Sequence, residues 1–208
     1  MSVLRMFANS AFYTVAILAG QAVVIPAMAY ALSRFRFRGR EAVFFLILML
    51  MLLPFQVTMV PNVLTLRSVG LLNTVWAVIM PMWFVPFYIF LVRQFMIGLP
   101  DELFEAGQID GCGPVRCYMH IAVPVCRPVI GAAVALSFAD NWNLVEQPMT
   151  YLGQRIDLQP LSVMFNQLVK TPTGIEFAGA ALYILPALFI YLYFQEDILS
   201  GVQLTELK

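Results

Sequence analysis

Residues Ala11 to Leu32 carry no charged side chain over 22 positions. At about 1.5 Å per residue a helix of that length covers about 33 Å, enough to cross a hydrocarbon core of about 30 Å. Inside such a core every backbone N–H and C=O has to be satisfied within the segment, so the stretch is expected to be a spanning helix. A cleavable signal peptide fits poorly, because the run exceeds an apolar segment of roughly 7 to 15 residues and only Arg5 precedes it. Composition agrees: apolar residues make up 61% of the 208 positions, and twelve cations balance twelve anions. This is the membrane class, without the basic excess that binding to nucleic acid requires.

Four more segments read as spans, giving helices over about 11–33, 43–60, 75–93, 128–150 and 177–195. The second is interrupted by Pro54, Gln56 and Thr58 and is expected to end at Pro61. The amphipathic connection Asn62 to Asn73, with Arg67 and Gly70, reads as a short interfacial helix. Orientation follows from RFRFRGR, where Arg34, Arg36, Arg38 and Arg40 crowd a short loop that should stay in the cytoplasm. The amino terminus is then outside and the carboxyl terminus inside. Arg93, Arg116, Arg127 and Lys208 join the inner set; Arg5, Arg67, Arg155 and Lys170 fall outside. Arg155 to Glu176, with Pro160, Pro172 and Gly174, reads as an external polar loop.

Between the third and fourth spans, about 97–125, lies the longest polar interruption, read as two helices joined by a glycine hinge. Pro100 suits a first helical position, and Asp101, Glu102 and Glu105 put negative charge where the helix dipole favours it. The first helix should end at Gly111. Gly113 and Pro114 start the second, which is expected to run through Tyr118 and Ile121 until Pro124 stops it. Leu103, Phe104, Ala106 and Gly107 fall on overlapping faces, and the small pair would let another surface approach the backbone closely. For an isolated helix, Glu105 could merely complement the dipole and Gly111 merely cap.

Cys112, Cys117 and Cys126 lie in or beside this loop with one histidine, His120, an odd number of cysteines with no second cluster and without the recognisable ligand spacing that structural zinc wants. They read as reduced thiols, with no metal or cofactor. In the outer half of the fourth span, Asp140, Asn141, Asn143, Glu146 and Gln147 are polar. On a helix Asp140, Asn143 and Gln147 share one face, and Asn143 also neighbours Glu146. Such a stripe faces a bundle interior or a water-filled cavity, or else lies solvated at the outer interface. A secondary transporter or channel would use Asp140 and Glu146 as its carboxylates, and dependence on an ion gradient rather than an ATPase would mark it.

Glu105, Ala106, Gly107, Gly111, Ile121, Val123 and Pro124 match, at every spacing, the cytoplasmic signature E-A-A, three residues, G, nine residues, I, one residue, L-P of ABC importer permeases. The chain resembles that family. It departs at Gly107, usually Ala, and at Val123, usually Leu. The blocks Ala29 to Arg40, Pro54 to Thr74, Leu91 to Gly111 and Asn141 to Pro148 extend the resemblance over nearly the whole chain. They are similar to the carbohydrate-uptake branch, in particular the second maltose-type permease subunit. Members usually carry one more helix at the front, so a natural short form, a deletion or a wrongly assigned start is expected. Glu196 and Asp197 stand where the last helix usually ends on basic residues.

The resemblance implies an all-α membrane protein, the five-helix core of a type I ABC importer, in a bacterial inner membrane. It implies half of a transport pathway rather than an enzyme, with a second permease subunit, two ATP-binding subunits, an extracytoplasmic solute-binding protein and membrane lipid as partners. No G-x-x-x-x-G-K-[ST] occurs, so ATP is handled by a partner. Glu105, Ala106, Gly107, Asp110, Gly111, Ile121 and Pro124 would couple the loop to the ATPase, Glu105 facing a cation there. Asn141, Asn143, Glu146 and Gln147 are the candidates for the solute pathway. A transport-inactive subunit is the remaining alternative.

Overall fold

A computed structural model describes residues 3–153, 155–168 and 175–206. Among them the chain is helical, with no strand. The order is α1 (Val3–Arg34), α2 (Arg40–Met51), α3 (Phe55–Ser68), α4 (Val75–Ile79), a 3₁₀ turn at Pro81–Trp83, α5 (Pro86–Ile97) and α6 (Asp101–Ile109). There follow α7 (Pro114–Cys117), a π-helical turn at Tyr118–Ala122, α8 (Val123–Val125), α9 (Arg127–Trp142), α10 (Glu146–Tyr151), a 3₁₀ turn at Ile156–Leu158, α11 (Leu161–Leu168) and α12 (Ile175–Glu206). The all-α membrane fold expected from the sequence is the one observed. Among the described residues, Val3–Arg34, Val75–Ile97 and Gly179–Glu196 are long and apolar enough to span. The bent pairs Arg40–Met51 with Phe55–Ser68 and Pro114–Val125 with Arg127–Trp142 make five if each is one span.

Several boundaries differ from expectation, each for a local reason. The first helix begins at Val3 rather than near residue 11, and the last runs on to Glu206. The second expected span breaks at Leu52 to Pro54, because Pro54 has no N–H to continue α2 and its ring excludes the helical path before it. Pro61 does not end that segment but sits inside α3, where the Thr65 hydroxyl donates to the Pro61 carbonyl at 2.9 Å. The interfacial helix read at 62–73 is therefore the second half of α3. Pro81 and Pro86 divide the third span. Lys170, Pro172 and Gly174 of the external loop, and Lys208, lie outside the described residues.

The fourth span also stops early, at Trp142 rather than near 150. Asn141 and Asn143 cause this. Their Nδ2 groups donate to the carbonyls four residues back, Ser137 at 2.7 Å and Ala139 at 2.9 Å, so the last turn is capped by side chains instead of being extended.

The chain forms two compact units. Unit one comprises residues 1–20, 53–83 and 136–193; unit two comprises 21–52, 84–135 and 194–208. In unit one Tyr13, Ile17, Val78, Ile79, Tyr151 and Leu152 form the core. The Trp83 indole donates to the Ala16 carbonyl at 3.1 Å and fills the space a Cβ at Gly20 would need. Trp142 stacks between Phe138 and Tyr183, and the pair exchange hydrogen bonds: indole N–H to the Tyr183 carbonyl at 3.0 Å, and Tyr183 hydroxyl to the Trp142 carbonyl at 2.6 Å. In unit two Ile25, Ala29, Ile89, Val92, Met96 and Val129 bring α1, α5 and α9 together. This packing holds the polar loop.

Candidate functional site

The loop is built in unit two from α6, α7 and α8. Pro100 precedes α6 as its N-cap, one position earlier than expected, with extended ψ of 136°, and Asp101 and Glu102 occupy the first turn. At the other end the Gly111 N–H donates to the Gln108 carbonyl at 3.0 Å and the Cys112 N–H to the Gly107 carbonyl at 2.8 Å. These two bonds define a Schellman ending, which needs a left-handed residue, and Gly111 has φ of 80°. Asp110 is the exposed C-cap. Gly113 then caps α7 with Pro114 at its first position, and the Tyr30 hydroxyl donates to the Pro114 carbonyl at 3.2 Å. The hinge is thus fixed at both ends.

Pro124 does not stop the second limb. The chain widens to a π-helical turn before it, with the Val123 N–H donating five residues back to the Tyr118 carbonyl. That extra residue accommodates the proline, the helix continues to Val125, and the 74° bend comes at Cys126 instead.

The residues read as one docking face divide in two. Leu103, Glu105, Ala106 and Ile109 are exposed, Ile109 at 87%. Phe104 and Gly107 turn inward. A Cβ on Gly107 would lie 2.5 Å from the Ile121 Cδ1, so the two limbs meet across the glycine. Val115 and Met119 add exposed apolar surface on the second limb, a feature not singled out in the sequence. Beside α6 a cavity of about 550 Å³ is lined by Arg34, Arg36, Asp101, Glu105 and Gln108. The three cysteines are free, Cys117 and Cys126 buried, and no cluster of three potential metal ligands occurs among the described residues.

Two arginines counted in the sequence only as inner-side charges have specific seats. Arg34 donates to the carbonyls of Met96 at 2.6 Å and Leu99 at 2.8 Å, pairs with Asp101, and lies 4.1 Å from the Phe104 ring centre. Arg93 lies 3.5 Å from the Phe44 ring centre and donates to the Leu32 carbonyl at 3.2 Å. The signal in the sequence was their position: cations within one turn of the end of an apolar run.

In unit one the polar residues read as a stripe are dispersed by the end of α9. Asn141 is buried, donating to both the carbonyl and the hydroxyl of Ser137, and its Oδ1 has no partner among the described residues. Asn143 is exposed and accepts a hydrogen bond from Tyr183 at 3.3 Å. Asp140 is exposed, and Gln147 is half-buried. Glu146, on α10, accepts from Gln56 of α3 at 2.8 Å. Nearby, Arg155 donates twice to the Asp157 carboxylate at 2.9 Å, and those bonds hold its carboxyl below the usual carboxylate range.

A sequence profile described as binding-protein-dependent transport system inner membrane component matches residues 6–198. The chain is 30% identical over 206 residues to the arabinooligosaccharides transport system permease protein AraQ of Halalkalibacterium halodurans, covering 97% of this chain and 73% of that one. It is 31% identical to protein LplC of Bacillus subtilis, over 99% of this chain and 74% of the other. Among solved structures it resembles a bacterial ABC transporter involved in import of the acidic polysaccharide alginate. The TM-score is 0.80 at 26% identity, covering 94% of this chain and 75% of that one.

Proposed function

Because the chain belongs to the family of binding-protein-dependent transport system inner membrane components, we propose that it is a permease subunit of an ATP-driven importer of a carbohydrate. A second permease subunit completes the pathway, two ATP-binding subunits drive it, and an extracytoplasmic solute-binding protein delivers the solute. The carbohydrate assignment rests on the arabinooligosaccharide and alginate systems to which the chain is similar. The RFRFRGR cluster supports an amino terminus outside, with the loop and carboxyl terminus in the cytoplasm of a bacterium.

The observation that carries the coupling role is the surface of α6. Leu103, Ala106 and Ile109 recur every third residue and are exposed with Glu105 beside them, an apolar ridge with one carboxylate on a polar loop. A cleft in the ATPase receives this ridge, and Glu105 meets a cation there. Gly111, Asp110 and the Gly107–Ile121 contact hold α6 on the second limb, which continues past Pro124 to the 74° bend at Cys126 and there joins α9, so a push on α6 is delivered to α9. Asn143 and Glu146 face the solute pathway, with Asn141 and Gln147 supporting them.

Glu105→Ala changes an exposed side chain and should leave stability and insertion intact while weakening co-purification with the ATPase or uncoupling hydrolysis from uptake. Gly111→Val forces a branched side chain to a positive φ, a strain of about 1–2 kcal/mol, and should give the same loss. Normal uptake in both variants removes the loop from this role.

A further inference from the structure

We propose that Arg34 and Arg93 form a two-way clamp through which movement of α6 reaches α1, α2 and α5. The inference rests on the coupling role proposed for the loop. The last carbonyls of a helix have no partner within it, and a cation placed there also meets the negative end of the dipole. Arg34, the final residue of α1, donates to Met96 in the last turn of α5 and to Leu99 just beyond it. Arg93 of α5 donates to Leu32 in the last turn of α1. Each helix therefore caps the other.

Both guanidinium groups then reach onward. Arg34 pairs with Asp101 in the first turn of α6 and stacks on Phe104 of the same helix. Arg93 stacks on Phe44 of α2, with Glu41 of that helix 3.7 Å away. The arginine side chains are only 12% and 6% exposed, whereas those of Asp101 and Glu41 are 76% and 68% exposed. Surface ion pairing does not account for such burial. Retaining the loop in the cytoplasm does not account for it either, since Arg36 and Arg38 carry the same charge while exposed. Bonds to backbone carbonyls track the position of a helix rather than of a flexible side chain. A planar fork that also stacks is specific to arginine.

The test uses the assembled transporter in proteoliposomes with Arg34→Met, Arg93→Met, the double variant, Arg34→Lys and Asp101→Asn. Methionine keeps a long apolar stem and deletes the link. Complex yield and the KM for solute should be retained, while solute moved per ATP hydrolysed falls on the order of 10-fold in each methionine variant. The double variant should be no worse than the worse single one, because either break opens the same linkage. Arg34→Lys should recover only part, and Asp101→Asn should lower the ratio less than Arg34→Met. In the isolated detergent-solubilised chain, amides 97–104 should exchange faster in Arg34→Met. Unchanged coupling in both methionine variants, unchanged exchange, or losses that add and track complex yield would overturn the clamp. A wild-type complex whose uptake is not driven by ATP would instead overturn the proposed function, and the clamp's transmitting role with it.

Discussion

In unit two, charges are turned inward: Arg34 and Arg93 lie on the faces of Phe104 and Phe44 and bind helix ends. In unit one, neutral groups do the equivalent work. Asn9 donates to the carbonyls of Asp157 and Gln159, the Ser162 hydroxyl to that of Leu144, Asn141 to Ser137, and Trp142 exchanges bonds with Tyr183. The clearest side-chain ion pair of unit one, Arg155 with Asp157, is exposed. A buried cation withdrawn from its partners is costly, so a charge-linked set of helices tends to move together. A neutral hydrogen bond contributes only about 0.5–1.5 kcal/mol net and can be exchanged for another. The difference fits the proposed clamp on one hand and the proposed solute pathway on the other.

The two units also differ in how tightly glycine is enforced, and this contrast gives the largest expected effect. Gly20→Ala drives a methyl into the Trp83 indole, whose N–H is held by Ala16, and should cost about 3 kcal/mol in unfolding of the purified protein. Gly107→Ala meets only the end of the Ile121 side chain, which can rotate, and alanine recovers about 1 kcal/mol of helix propensity. Its stability should change by less than about 1 kcal/mol, so equal losses in the two variants would erase the contrast.

A smaller effect separates the two asparagines. Asn141→Leu removes two buried hydrogen bonds and should destabilise by about 1–2 kcal/mol, moderated because the unpartnered Oδ1 goes with them. Asn143→Leu is at an exposed site and should leave thermal stability nearly unchanged while lowering uptake. If uptake survives, or if the complex falls apart, this region is structural only.

The smallest effect is pH-dependent. The Asp157 carboxyl titrates below its unfolded value near 3.9 because Arg155 donates to it. Its contribution is therefore complete above about pH 4 and is lost as pH falls through the lower folded value. Exchange of amides around Ile156 to Leu158 should rise over that acid window in the wild type and show no such step in Asp157→Asn.

Much of this was legible because it depends on neighbours in the chain. An uncharged run long enough to span, a proline after a glycine, a left-handed glycine closing a helix and the spacing from Glu105 to Pro124 are local patterns, and the all-α fold and the loop follow from them. Helix ends were less legible, because a side chain bonding four residues back decides them: Asn141 and Asn143 cap the end of α9 at Trp142, inside a segment whose length alone suggested a span to about 150. Pro124 was misread since a proline stops a regular helix, whereas a π-helical turn supplies the slack to pass it.

The amino-acid order by itself determined that the chain is built of membrane helices with one polar helix, hinge, helix element, because hydrophobic length and turn chemistry act over a few residues. Only the tertiary structure decided that Gly107 faces Ile121 rather than a partner, that Glu146 reaches Gln56, and that Arg34 and Arg93 cap one another's helices. Those contacts join residues up to 90 positions apart. They depend on which helices pack together, and a cation at the end of an apolar run reads the same whether it faces water or the end of another helix.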